Sequence, residues 1–316
     1  MMAHYDEPFG CCQTLIVQYR AVRPPSDDPK GELHIGRSAL FVGRRQMGRS
    51  GPRLFRAEGL EQVSLRRRRL QDAGHLLGNN GLVPEVLLTG SAGRVGRAAQ
   101  PVLASRGWTV RPFDSVDGCD LRDEGAVRAA VRGCDAVVHA GALAHDTAGT
   151  PADIVATNVL GTWHVLCAAE SAGASRVVYF SSAQVFGCAE GEGSPVYLPI
   201  DDDHPARAAR PYGMSKRLAE EMCDAWSSRT SIPSVVLRPV MILDEQSLDR
   251  MSEREADFGA FVHVDDVAEA IALALEADVP LHVRLTLCGP GLFDTAAASK
   301  ILGWRARRGW PTQQPV

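Results

Sequence analysis

From residue 84 onward, short and continuously apolar segments alternate with longer amphipathic ones. Segments of strand length are Glu85–Thr89, Thr109–Phe113, Ala136–His139, Arg176–Phe180 and Ser234–Arg238. Segments of helical periodicity are Arg94–Arg106, Glu124–Arg132, Ala152–Ala172 and Tyr212–Arg229. Strands without a polar face must be covered on both sides, as in a parallel sheet flanked by helices. The sequence therefore predicts an α/β fold with a doubly wound parallel sheet.

Residues 1–81 lack this alternation and differ in charge from the rest. They hold 13 basic and 8 acidic residues, a net charge of +5, whereas residues 82–316 hold 21 and 30, a net charge of −9. We interpret residues 1–81 as an unassigned basic extension, with disorder as one interpretation. The run Arg66–Arg69 suggests nucleic-acid binding, but we favour a solvated helix face or a non-native extension from an upstream start codon, because no aromatic or second basic cluster supports it.

Composition and charge exclude several classes of protein. The 316 residues are 45% hydrophobic and carry a formal charge of −4, which excludes a nucleic-acid-coating protein and a mainly disordered one. Apolar runs stay below the roughly 18–20 residues of a membrane span, and Asp6 and Glu7 oppose a signal peptide. We therefore expect a cytoplasmic protein. The eight cysteines form no Cys-x-x-Cys pair, so neither a disulfide framework nor a metal site is predicted.

A glycine-rich turn separates the first predicted strand from the first helix. Gly90 allows a sharp exit from the strand, Gly93 allows close approach of a pyrophosphate, and Gly96 allows close packing of helix on sheet. With Arg94 and Val95, these residues open a helix whose N-terminal N–H groups attract phosphate. The turn predicts a dinucleotide site.

Asp114 follows the second predicted strand, 24 residues after Gly90. A carboxylate there accepts hydrogen bonds from both adenosine ribose hydroxyls and repels a 2′-phosphate, which favours NAD over NADP. Arg111 is close enough in sequence to neutralise this carboxylate, and the sequence leaves the direction of its side chain open.

Tyr212 and Lys216 lie four residues apart at the start of a predicted helix, so they share one face. A nearby ammonium stabilises a phenolate, so we expect Lys216 to lower the pKa of Tyr212 towards working pH for proton transfer. Lysine occurs at three positions in the chain against 31 arginines, which makes Lys216 informative. Ser182 follows the fourth strand, where its hydroxyl is placed to bind the reacting substrate oxygen.

Residues 84–310 resemble an extended short-chain dehydrogenase/reductase of the NAD-dependent epimerase/dehydratase family. Beyond the residues above, the resemblance rests on segments 119–121, 139–142, 158–162 and 261–268. It implies a Rossmann fold and a homodimer, in which the helices predicted at Ala152–Ala172 and Tyr212–Arg229 form a two-helix face on each subunit. Residues 183–211 and 239–316 would form most of a small substrate-binding subdomain within a unit spanning residues 82–316.

The resemblance also implies roles for individual residues. Asp120 and Leu121 would flank the adenine, while Ala140 and Gly141 would run along the cofactor. Ser182, Tyr212 and Lys216 would form the catalytic triad, with Tyr212 and Lys216 also binding the cofactor and Lys216 holding its nicotinamide ribose. Asn158 would be mainly structural.

Departures from the family pattern limit the reaction and the substrate. Dehydratases carry Asp and Glu after the catalytic Ser or Thr, whereas this chain has Ala183 and Gln184, which disfavours dehydration. The segment after the fifth strand lacks the Asn with which nucleotide-sugar epimerases hold the diphosphate. Only 16 residues separate Asp244 from Phe261, and the pattern is similar to that of the family's uronate dehydrogenases.

The sequence thus predicts an NAD-dependent oxidoreductase or epimerase acting on a hydroxyl of a sugar, uronate or nucleotide sugar. One alternative is a dinucleotide-binding regulator without chemistry, suggested by the reduced substrate region. Another is nucleic-acid binding through residues 1–81. We expect a small-molecule substrate and neither a nucleic-acid partner nor a membrane.

Overall fold

The computed structural model describes residues 83–188, 192–248 and 261–308. The N-terminal extension assigned to residues 1–81 lies outside the described residues, and so does its Arg66–Arg69 run. The proposed domain boundary therefore stays a prediction.

The first half of the fold alternates strands and helices as expected. Its elements are β1 (Glu85–Thr89), α1 (Arg94–Ser105), β2 (Thr109–Phe113), α2 (Glu124–Val131), β3 (Ala136–His139), α3 (Pro151–Val155), α4 (Gly161–Ala172) and β4 (Val177–Phe180). A π turn (Ala156–Leu160) joins α3 to α4.

The second half adds one long helix and several short elements. They are α5 (Pro211–Thr230), β5 (Ser234–Pro239), β6 (Met241–Leu243), α6 (Glu245–Leu248), β7 (Phe261–His263), α7 (Val264–Glu276), β8 (His282–Leu287) and α8 (Ala296–Leu302). The elements predicted from sequence end within one residue of the observed bounds, the π turn apart.

Six strands form one parallel sheet in the order β2-β1-β3-β4-β5-β8. The chain runs outward from β1 to β2, then crosses back to β3 on the other side of β1. Such a reversal opens a crevice at the carboxyl ends of β1 and β3, where doubly wound sheets bind ligands. The fold class predicted from sequence is confirmed, and this crevice is where a ligand is expected to bind.

Both faces of the sheet are buried because its strands carry apolar residues at successive positions. Leu88 and Val138 belong to a core cluster shared with α1 and α7, whereas Leu87 and Val137 face a second cluster built with α2, α4 and α5. Neighbours in sequence therefore lie in opposite cores. Burying a Val or Leu side chain contributes about 1.5–3 kcal/mol, which explains why these strands have no polar alternation.

The helix predicted over Ala152–Ala172 is continuous but contains the π turn, which sequence periodicity does not show. Asn158 lies in this turn and is buried. Its Oδ1 accepts the N–H of Leu143 at 2.8 Å, and its Nδ2 donates to the Leu143 carbonyl and the Ser215 hydroxyl at 3.0 Å each. The amide thus ties the loop after β3 to α5.

Two features beyond the main sheet bear on the predicted subdomain and homodimer. Strands β6 and β7 form a separate two-stranded parallel sheet, and a bridge pairs Ile200 with Phe293. On the π turn and α4, Leu160 and Trp163 are exposed. The substrate-binding role of the subdomain and the homodimer stay predictions. No helix in the described part of the chain has the length and apolar character needed to cross a bilayer.

Replacing Asn158 with Ala should destabilise the protein by about 1–3 kcal/mol, because the N–H and carbonyl of Leu143 lose their partner in a buried loop. Urea unfolding measures the change in the free energy of unfolding. The control is Ser171→Ala, which removes an exposed hydroxyl bonded to the Cys167 carbonyl and should change stability by less than about 0.5 kcal/mol. Equal effects of the two substitutions would contradict the role assigned to Asn158.

Candidate active site

Gly90 brings the carboxyl ends of three strands together. Its φ of +70° lies in the left-handed region, and its N–H donates to the carbonyl of Phe113 at the end of β2. A Cβ on Gly90 would lie 2.7 Å from the nitrogen of Gly141 and 2.8 Å from the carbonyl carbon of Ala140. A side chain at residue 90 would therefore force the loops after β1 and β3 apart.

The phosphate loop (residues 90–96) leads directly into α1. Gly93 occupies the N-cap, offers no side-chain cap, and is followed by no acidic residue in the first turn. A Cβ on Gly96 would lie 2.2 Å from the Gly90 oxygen and 2.6 Å from the Cα of Ser91. These atoms belong to the loop, so glycine at residue 96 lets the loop fold against α1, and its role in helix–sheet packing stays a prediction.

Arg94 and Val95 differ in what their side chains contact. Arg94 Nη1 donates to the Ile242 carbonyl at 2.7 Å, and its Nε lies 3.3 Å from Oδ2 of Asp244. Val95 packs against the core. Both side chains therefore contact other parts of the protein. A phosphate would be bound by the backbone N–H groups of the first turn rather than by these side chains.

Asp114 lies just beyond β2, beside the phosphate loop. Its Oδ2 accepts the N–H of Ala92 at 2.9 Å and its Oδ1 accepts that of Val116 at 3.1 Å. Arg111 pairs instead with Glu85, at 2.9 and 2.7 Å. The sequence left open whether Arg111 neutralises Asp114. In the structure it does not, because Arg111 pairs with Glu85.

Four residues that we expect near the adenine or along the cofactor lie at the edge of the same crevice. Asp120 pairs with Arg122, whose hydrogen bonds lower the pKa of the Asp120 carboxyl, and its side chain is partly exposed. Leu121 is buried, and its Cδ1 would lie 3.1 Å from a Cβ on Gly141. Ala140 and Gly141 follow β3 against Gly90. The roles of these four residues toward a cofactor stay predictions.

A chain of buried polar side chains beneath this crevice was not predicted from sequence. The Thr89 hydroxyl lies 2.7 Å from Nδ1 of His139 and accepts the N–H of Gly141 at 3.0 Å, and Nε2 of His139 lies 3.0 Å from the Thr162 hydroxyl. Burial lowers the pKa of His139 to about 3, with a smaller contribution from Lys216. His139 is therefore neutral near pH 7 and fastens β1, β3 and α4 together.

Ser182, Tyr212 and Lys216 come together although they lie in separate parts of the chain. The Ser182 hydroxyl accepts the N–H of Gln184 at 3.1 Å, and it is near enough to the Tyr212 phenol to act on the pKa of that group. Lys216 lies one turn further along α5 and donates from Nζ to the Phe180 carbonyl at 2.7 Å. Its Nζ is 5.9 Å from the centre of the Tyr212 ring.

The expected lowering of the Tyr212 pKa is wrong for this structure. Burial raises the pKa of Tyr212 to about 12, although the nearby Ser182 hydroxyl acts to lower it. Burial also lowers the pKa of Lys216 to about 8, while the charge of Glu220 works in the other direction. Spacing along a helix predicts that the two groups are near each other, but it does not report the loss of solvation that dominates here.

Glu220 is a second feature that the sequence analysis missed. It lies one turn beyond Lys216 and is buried, and Oε1 accepts the Ser181 hydroxyl at 2.6 Å. Arg238 of β5 binds both of its oxygens, at 3.0 and 2.6 Å. This buried ion pair fixes α5 to the end of β5, and removing one partner from such a pair costs about 3–5 kcal/mol.

Comparison with known proteins identifies the family. Residues 86–246, just over half of the chain, match the model of the NAD dependent epimerase/dehydratase family. The chain belongs to this family. It is an NAD-dependent enzyme of the short-chain dehydrogenase/reductase type, which overturns the alternative of a regulator without chemistry. The family resemblance and the cofactor predicted from sequence are confirmed.

Similar proteins include sugar dehydrogenases. The chain is 29% identical to a uronate dehydrogenase of Pseudomonas syringae over 60% of its own length and 69% of that protein's. It is 28% identical to an L-arabinose 1-dehydrogenase (NAD(P)(+)) of Haloferax volcanii, with 70% and 96% covered. A solved structure of a mutated uronate dehydrogenase matches with a TM-score of 0.60 and 25% identity, over 72% of this chain and 83% of that one.

The residues of the crevice fit NAD. Glycine is required at residues 90 and 96, and the uncapped start of α1 suits a pyrophosphate. Asp114 stands at the end of β2, the position from which a carboxylate accepts ribose hydroxyls.

Replacing Gly96 with Ala should weaken NAD binding at least about tenfold, because the new methyl group would meet the Gly90 oxygen at 2.2 Å. Isothermal titration calorimetry measures the affinity. The matched control is Gly125→Ala near the start of α2, where the nearest contact is the Asp123 side chain at 3.2 Å. Unchanged affinity in the folded Gly96 variant would contradict this account of the loop.

Proposed function

We propose that this enzyme transfers a hydride between NAD and a hydroxyl-bearing carbon of a sugar, uronate or nucleotide sugar, with Tyr212 moving the proton. The observation that carries the proposal is that Tyr212 and Lys216 of α5 lie against the end of β4, which Ser182 follows: Lys216 Nζ donates to the Phe180 carbonyl at 2.7 Å and lies 5.9 Å from the centre of the Tyr212 ring. A phenol beside an ammonium, at the edge of the sheet where NAD is expected, supports an acid/base role for Tyr212. The family and the sugar dehydrogenases among the similar proteins support the substrate class.

Each of the three residues has a distinct role in the proposed reaction. Tyr212 returns a proton to the substrate oxygen in the reductive direction and accepts one in the oxidative direction. Ser182 hydrogen-bonds the same oxygen and orients it. Lys216, whose Nζ lies 5.9 Å from the centre of the Tyr212 ring, would hold the nicotinamide ribose of a bound NAD beside the phenol. NAD, when bound, accepts or returns the hydride.

The residues after Ser182 favour oxidation or epimerisation over dehydration. Ala183 and Gln184 form a 3₁₀ turn, and neither offers a carboxylate for the elimination of water. Because the similar proteins include a uronate dehydrogenase and an arabinose dehydrogenase, we place free uronates and aldoses ahead of nucleotide sugars.

Replacing Tyr212 with Phe should reduce kcat by at least about 1,000-fold while NAD affinity stays within about twofold, because only the acid/base hydroxyl is lost. Steady-state kinetics and calorimetry measure the two quantities. Tyr197→Phe is the control, since it removes an exposed phenol whose hydroxyl donates to Asp201. Full activity in the Tyr212 variant would refute the proposed role.

The substrate class can be tested by following the absorbance of reduced nicotinamide with a panel of sugars. The panel contains glucuronate, galacturonate, L-arabinose, UDP-glucose and UDP-galactose. We expect NADH to accumulate with a free uronate or aldose. Product formation without net NADH would instead establish epimerisation, and the absence of turnover with every member would overturn the proposed substrate class.

A further inference from the structure

Helix α5 begins without a cap of its own. The side chain of Arg210 at the N-cap does not cap the helix, and the first turn contains no acidic residue. The first N–H groups of a helix have no partner within the helix, and the helix dipole makes this end positive. Because Tyr212 is the second residue of α5, whatever binds these N–H groups also acts on the proposed proton donor.

Two carboxylates from other parts of the chain bind the backbone at this helix end. Glu192 Oε1 accepts the N–H groups of Ala209 and Arg210 at 2.9 and 2.8 Å. Asp146 Oδ1 accepts the N–H of Tyr212 itself at 2.8 Å, across 66 residues of sequence. Asp146 is half-buried in the loop between β3 and α3.

We propose that Asp146 is a positioning residue that anchors Tyr212 to the loop after β3. The proposal rests on the proposed function, because it assigns Asp146 an effect on the proton transfer by Tyr212. Nothing in the family resemblance assigns a role to Asp146.

Both the N–H and the carbonyl of Tyr212 are hydrogen-bonded to side chains that are linked to the loop after β3. Its N–H is bound by Asp146, and its carbonyl accepts the Ser215 hydroxyl at 2.7 Å. Ser215 in turn accepts from Asn158, which also binds Leu143 in the loop that carries Asp146. The position of Tyr212 therefore depends on this loop as well as on α5.

The charge of Asp146 has a separate effect on the Tyr212 phenol. Among the described residues, the titratable or charged groups near it are Tyr179 from β4, Lys216 from α5 and Asp146 from the loop after β3, and the Ser182 hydroxyl also lies nearby. After burial, the negative charge of Asp146 contributes to the raised pKa of Tyr212. Asp146 thus favours the protonated phenol while it holds the backbone in place.

Two substitutions separate the anchor from the charge. Asp146→Asn keeps an oxygen acceptor and removes the charge, so the limb of the kcat/KM profile that reports Tyr212 should move to lower pH by roughly one pH unit. Asp146→Ala removes both, and kcat should fall about 10-fold or more because the tyrosine loses its anchor. NAD affinity should change less than about twofold in both variants.

The matched control is Glu192→Gln, which neutralises the other carboxylate at the same helix end and should leave the pH profile unchanged. Tyr212 ionisation is also followed without turnover by NMR of protein labelled with ¹³C at tyrosine Cζ, with Tyr212→Phe assigning the signal. The Asp146→Asn variant should show a larger ionised fraction at one alkaline pH at which all variants are folded.

An unchanged kcat in a folded Asp146→Ala variant would overturn the anchor. An unchanged profile and an unchanged Tyr212 signal in Asp146→Asn would overturn the charge effect, and so would an equal shift in Glu192→Gln, because it would show a general effect of charge. If Tyr212→Phe keeps full activity, the proposed function fails, and the NMR measurement still decides whether Asp146 acts on Tyr212. If Asp146→Ala does not fold, Asp146→Ser, whose shorter side chain withdraws the acceptor from the Tyr212 N–H, carries the test of the anchor.

Discussion

The close approach of the backbone at Gly90 and Gly141 is the constraint on which the rest of the crevice depends. A single Cβ at residue 90 would lie 2.7 Å from the Gly141 nitrogen, so the ends of β1 and β3 meet only because no side chain separates them. The Thr89 hydroxyl completes the contact by binding His139 and the Gly141 N–H. The proposed cofactor and substrate regions share this one fixed edge of the sheet.

Burial, more than spacing, sets the protonation of the proposed catalytic groups. Tyr212 and Lys216 are both withdrawn from water, which raises the pKa of the phenol and lowers that of the ammonium. Both shifts favour the uncharged form, as desolvation does for any ionisable group. The negative charge of Asp146 favours the neutral phenol of Tyr212, whereas the negative charge of Glu220 favours the charged form of Lys216.

Sequence predicted what depends on local pattern. Continuous apolar runs determine parallel strands, and a Tyr and a Lys four residues apart share a helix face, so the fold class and the meeting of Tyr212 with Lys216 followed. The contacts of Asp146, Asn158 and Glu220 did not, because each is a polar side chain whose partners lie in remote segments. No period in the sequence marks such pairs, and the direction of the Tyr212 pKa shift depended on burial, with a smaller contribution from the charge of Asp146.

The π turn sets the rotational phase between α3 and α4. A π turn holds one residue more than the α-helical turn it replaces, so it takes up that residue without turning α4 relative to α3. Straightening Ala156–Leu160 into a regular α-helix of the same length would instead turn the chain on one side by about 100°. The bonds of Asn158 to Leu143 and of His139 to Thr162 could then not form together, so the extra residue in this turn is what lets one continuous helix make both buried contacts.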